Sequence, residues 1–89
     1  MQSIKVTYPD PKLRILIEEF IAMQRSQFTF RELCSYILYR AMEEEKTTTK
    51  GLYESNQLHE EDCKRVNNVL DKIVSEGRIA KNNTKFVKL

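Results

Sequence analysis

Residues 60–89 read EEDCKRVNNVLDKIVSEGRIAKNNTKFVKL, and the fold turns on this stretch. Cys63, Val66, Leu70, Ile73 and Val74 recur at the three- and four-residue spacing of one helix face, with Val69 on its edge. At about 100° per residue, Glu61, Lys64, Arg65, Asn68, Lys72 and Ser75 look away from that stripe. The pattern predicts a helix from about His59 to Glu76. Glu60, Glu61 and Asp62 stand in its first turn, where carboxylates favour the positive end of the macrodipole, and they are expected to be solvated. Gly77 suits the left-handed residue that ends a helix. Beyond it, Arg78-Ile79-Ala80-Lys81 and Thr84-Lys85-Phe86-Val87-Lys88-Leu89 set apolar residues among basic ones. They predict a hairpin, Arg78–Lys81 against Thr84–Val87. Its turn falls at Asn82-Asn83, because Asn tolerates the positive φ that tight hairpins need.

Working upstream, Ile4, Val6 and Tyr8 alternate with polar residues at strand period, and Pro9 and Pro11 end the pattern. Residues 1–9 are read as an N-terminal strand or arm with an edge open to a partner. Asp10-Pro11 resembles an N-cap followed by Pro at the first helical position. A first helix then runs to about Gln24, with Leu13, Leu16, Ile17, Phe20 and Met23 in its stripe. Ile15 and Ile21 widen it, and so broad an apolar girth calls for deep packing or a covering partner. Phe28-Thr29 predicts a brief strand. Thr29-x-x-Glu32 is a capping box, with Phe28 placed to staple onto Leu33. The second helix continues through Leu33, Cys34, Ile37, Leu38 and Ala41 to about Glu45. Thr47-Thr48-Thr49-Lys50-Gly51 disfavours its continuation. Residues 46–57 are expected to form a polar loop with one helical turn near Leu52–Ser55.

Eighty-nine residues make one domain, 1–89, with no room for a second core. No apolar run approaches membrane-helix length, and MQSIKVTYPD has no signal-peptide core, so a cytoplasmic protein without a membrane partner is expected. Cys34 and Cys63 fall on apolar helix faces, where a reduced cysteine behaves as a small hydrophobe. The net charge of +2 is no signature of nucleic-acid binding, but its distribution is uneven. Residues 43–62 carry seven acidic and two basic side chains, whereas residues 78–89 carry four basic and none acidic.

The order strand, helix, short strand, helix, helix, hairpin resembles the winged helix-turn-helix superfamily. Val69-Leu70-Asp71-Lys72-Ile73-Val74-Ser75-Glu76-Gly77-Arg78-Ile79 is similar to that family's passage from recognition helix to wing. Phe28-Thr29-x-x-Glu32-Leu33 is similar to the start of its second helix. The likeness spans about residues 10–89, although the linker of about twelve residues before the third helix is longer than the family's usual few. It implies a mainly α (α+β) winged helix, a three-helix core with a C-terminal two-stranded β wing.

It also implies a sequence-specific DNA-binding protein, a small transcriptional or replication regulator acting on duplex DNA. Within that reading Arg65 and Asn68 would meet base edges, since Arg forks onto guanine and Asn pairs with adenine. Lys64, Lys72, Lys81 and Lys85 would hold phosphates. Arg78, Asn82 and Asn83 complete the expected surface of helix and wing. A homodimer fits a reader of palindromic sites.

The alternative is a winged-helix protein–protein interaction module that binds through helices 1 and 2, where Tyr36 and Tyr39 lie. Other chemistry finds little footing. His59 stands beside Glu60, Glu61 and Asp62, but consecutive helical residues diverge and cannot share one ion. The only glycines, Gly51 and Gly77, make no phosphate loop. No cofactor and no enzymatic activity are expected.

Overall fold

Gly77 does end a helix, and the turn that it makes hands the chain straight to a sheet. A computed structural model describes residues 3–48 and 57–89. The elements in chain order are β1 (Ser3–Ile4), α1 (Asp10–Met23), β2 (Gln27–Thr29), α2 (Phe30–Glu43), β3 (Gln57–Leu58), α3 (Glu60–Ser75), β4 (Ile79–Asn82) and β5 (Lys85–Lys88). The result is an α+β domain of three helices and a small antiparallel sheet. The helical turn expected near Leu52–Ser55 lies outside the described residues.

The three helices pack around one core. Leu13, Leu16 and Ile17 of α1, Leu33, Ile37 and Ala41 of α2, and Val66, Leu70 and Ile73 of α3 are all buried there. The wide girth of α1 is explained in part. Ile21 is buried with the stripe, while Ile15 and Met23 are exposed at 49% and 58%. Met23 therefore leaves the stripe to which its spacing assigned it.

Helix ends follow backbone chemistry closely. The capping box at α2 forms as read: Thr29 Oγ1 accepts from Glu32 N–H at 3.1 Å, and Glu32 Oε1 accepts from Thr29 N–H at 2.9 Å. At α1 the N-cap is Pro9 rather than Asp10, so Asp10 occupies the first helical position and its carboxylate is free for other work. α2 stops two residues earlier than its pattern suggested. Glu45 adopts φ 56°, and Lys46 N–H returns to the Ala41 carbonyl at 2.7 Å. α3 ends in the same way at Gly77, φ 77°, with Gly77 N–H to Val74 and Arg78 N–H to Ile73. Both are Schellman turns, one with glycine at the left-handed position and one without.

The C-terminal sheet is larger than the expected hairpin. β4 and β5 pair antiparallel, and β2 pairs with the other edge of β5, giving a three-stranded sheet in the order β2-β5-β4. The hairpin turn lies one residue further on than expected, at Asn83-Thr84, with Asn82 opposite Lys85 and Asn83 at φ 59°. Phe86 sits opposite both Phe28 and Lys81. Its ring stacks on Phe28 at 5.4 Å, and Phe28 meets Phe20 of α1 edge-on at the same distance. The sheet is thereby joined to the helical core through aromatic contact.

The N-terminal arm is no open edge. β1 pairs in parallel with β3, Val6 bridges to Thr47, and Ile4, Val6 and Tyr8 are all buried. The premise that this strand awaits a partner is corrected, because the segment before α3 already supplies one.

Candidate nucleic-acid interface

α3 carries Lys64, Arg65, Asn68 and Lys72 of the expected surface, and its first turn anchors that helix to the arm. Asp62, expected in solvent, is fully buried. Its Oδ2 accepts the Val6 N–H at 2.9 Å and its Oδ1 accepts from Arg65 at 2.9 Å. Arg65 also donates to Asp10 Oδ1 at 2.9 Å and to the Tyr8 carbonyl. The guanidinium thus ties three segments together: the arm, the start of α1 and the start of α3. One residue earlier, Glu61 pairs with Lys5 at 2.7 Å, which holds its carboxyl below the usual glutamate range. His59 caps the helix, its Nδ1 accepting from Glu61 N–H at 3.1 Å. Two of the three first-turn acids are therefore answered by local cations, and Glu60 forms no ion pair among the described residues.

Arg78 is engaged in the same manner at the far end of α3. It pairs with Glu18 of α1, and Arg14 reaches Glu76 at 2.9 Å. The hydrogen bond from Arg78 pulls the Glu18 carboxyl below its ordinary range. Arg65 and Arg78, both expected to face DNA, instead bind the helices to one another.

The remaining candidates divide by position. Asn68 and Lys72 are exposed, but with Arg65 they line a shallow cleft of about 300 Å³ against Asp10, Pro11 and Arg14. That side of α3 leans toward the start of α1. The outer ridge carries Lys64, Asn67, Asp71 and Ser75, all exposed. Asn67 and Asp71 were not among the expected surface residues. Their three- and seven-residue spacing from Lys64 was the signal for them, since residues so spaced share one face of a helix.

At the tip of the β4–β5 hairpin, Lys81, Asn82, Asn83, Thr84 and Lys85 are exposed, and neither lysine forms an ion pair among the described residues. Strand alternation sends Lys81 and Lys85 to opposite faces of the hairpin, because Lys81 faces Phe86 and Lys85 faces Asn82 across the ladder. The tip therefore presents a cation to either side and amides between them. No helix among the described residues is long and apolar enough to cross a membrane. No family model, curated protein or solved structure matches the chain.

Proposed function

We propose that this protein is a winged-helix reader of duplex DNA, a small sequence-specific transcriptional or replication regulator. The observation that carries the reading is the sheet order β2-β5-β4 following α1, β2, α2 and α3, with α3 passing into the wing through Gly77. That arrangement holds one exposed helix and one basic hairpin on a common frame. Lys64, Asn67, Asn68 and Lys72 form the helical part of the contact surface, and Lys81, Asn82, Asn83 and Lys85 the wing. Amides can read base edges and lysines can hold phosphates. Arg65 and Arg78 are left out of the contact set because their guanidinium groups are taken by Asp62, Asp10, Glu18 and Glu76. The pairing of Glu61 and Asp62 with Lys5 and Arg65 reduces the acidity that would repel a phosphate backbone at the start of α3.

Fluorescence anisotropy against random duplexes at two salt concentrations tests this. Binding should weaken steeply with salt. Lys85→Ala should weaken every duplex alike and lower the salt slope by about one unit. Arg65→Ala should lower thermal stability while leaving sequence preference unchanged. Absence of binding at low salt by the folded protein would reject the DNA reading. A protein-interaction module is the second reading, favoured by the exposure of Ile15 and Met23 on α1 and Tyr39 on α2. A homodimer through that surface belongs to the same reading, since the arm no longer offers an edge.

A further inference from the structure

The outer ridge of α3 sets one acid among amides and cations. Lys64, Asn67, Asp71 and Ser75 follow one another at three- and four-residue steps, and all are exposed. At the start of the helix Glu61 and Asp62 are matched to Lys5 and Arg65. Asp71 is matched to nothing. It is the only acid of the ridge beyond the first turn, and it makes no ion pair or hydrogen bond among the described residues. Asn67, one turn earlier, is equally free among them. Ser75 is not, since its hydroxyl donates back to the Lys72 carbonyl at 2.7 Å.

An acid on a DNA-facing ridge has few places to go. Opposite the phosphate backbone it is repelled, whereas a lysine or an amide is tolerated there. In the major groove its choice is also narrow. Guanine presents O6 and N7 and thymine presents O4, all acceptors, which oppose a carboxylate. Adenine sets the acceptor N7 beside its N6 donor, so one carboxylate oxygen meets a repulsive neighbour. Cytosine offers its N4 amine as a donor, and that is the group Asp can accept from. Asn67 carries both a donor and an acceptor and matches adenine N6 and N7. Four residues of helix rise about 6 Å. That is close to two base-pair steps of about 3.4 Å each. Lys72 lies about 100° around the helix from Asp71. A cation thus flanks the acid on the side toward α1, where a phosphate could be held without facing the carboxylate.

We propose that Asp71 is a specificity residue, accepting from cytosine N4 in the major groove, with Asn67 on an adenine about two base pairs away. This rests on the DNA reading above and gives that reading a sequence.

The test is selection of bound duplexes from a randomised library with the full chain and its Asp71→Ala, Asp71→Asn and Asn67→Ala variants, followed by anisotropy on the recovered site. The wild type should recover a motif with one position fixed as cytosine and an adenine about two positions away. Changing that cytosine should weaken wild-type binding about tenfold, and Asp71→Ala should reduce the difference to about twofold or less. Asp71→Asn should move the preference at that position to adenine, because the amide supplies a donor beside its acceptor. Asn67→Ala should relax the second position alone. A motif without a fixed cytosine, or one that Asp71→Ala leaves unchanged, would overturn the inference and leave DNA binding standing. Asp71→Ala that tightens every duplex alike would place the carboxylate against phosphate and overturn it too. A folded wild-type chain that binds no duplex would reject the inference together with the reading beneath it. If a variant fails to fold, the wild-type motif decides alone.

Discussion

A carboxylate with no exposed surface must have its charge answered within reach of its own two oxygens. Asp62 meets that condition with one backbone donor and one guanidinium, contributed by residues on two different elements. Asp62→Ala would leave the Val6 N–H and part of Arg65 unanswered, and should cost about 3 kcal/mol in urea denaturation. A loss below about 1 kcal/mol would mean that the tie contributes no more than a surface pair. This residue was illegible in the sequence for a physical reason. An acid in a first helical turn already has an explanation in the macrodipole, and its second partner lies 56 positions upstream. Arg65 misled in the same way, since an arginine on an apparently outward face gives no sign that it bends back to Asp10 and the Tyr8 carbonyl. Glu45 offers a different test. A side chain at φ 56° meets its own carbonyl, so Glu45→Gly should stabilise the protein by about 1 kcal/mol, read as a raised denaturation midpoint.

Elements whose signals were local came through intact, and those that depend on distant partners did not. The α2 capping box, the apolar stripe of α3 and the Gly77 stop each sit within one or two turns of chain. The hairpin was legible in its alternation but not in its turn. Moving the turn by one residue shifts the pairing by two, which keeps Ile79 and Phe86 on the same face. Both registers therefore bury the same side chains, and the one adopted places Asn83, at φ 59°, first in the turn. The pairing of β2 with β5 had no local signal at all. Phe86 is the joint of this sheet, held between Phe28 and the core. Phe86→Ala should cost about 3–5 kcal/mol by chemical denaturation, as expected for a buried aromatic removed from an enclosed site. A cost near that of an exposed residue would place the sheet outside the cooperative unit.

Across the whole molecule, ion pairs sew the helices together at both ends of α3, and they set the pH range of the fold. Glu18, Glu44 and Glu61 are held below their ordinary value by hydrogen bonds from Arg78, Tyr8 and Lys5 respectively. Lowered carboxylates add stability that is full above the unfolded value of about 4.5 and is lost as pH falls through their folded values. Tyr8 shifts upward, first through burial and then through its hydrogen bond to Glu44. Its contribution is complete below the unfolded value of 10.0 and is lost as pH rises beyond it. Thermal melts should therefore show a plateau through neutral pH, with an acid decline below the glutamate range and an alkaline decline above about pH 10. Tyr8→Phe should remove part of the alkaline decline. A melting temperature that already falls between pH 5 and 8 would contradict this assignment. The sheet order has a consequence for synthesis as well. β5 comes after every other described element in the chain, yet it occupies the centre of the sheet. While a ribosome is still short of Lys85, β2 and β4 have no partner, and the ladder cannot begin to assemble. A chain released early would lose the strand between two others rather than one at the margin, and would display two naked edges. Aborted translation thus leaves a product that aggregates or is degraded, so that this topology acts as a check on completeness.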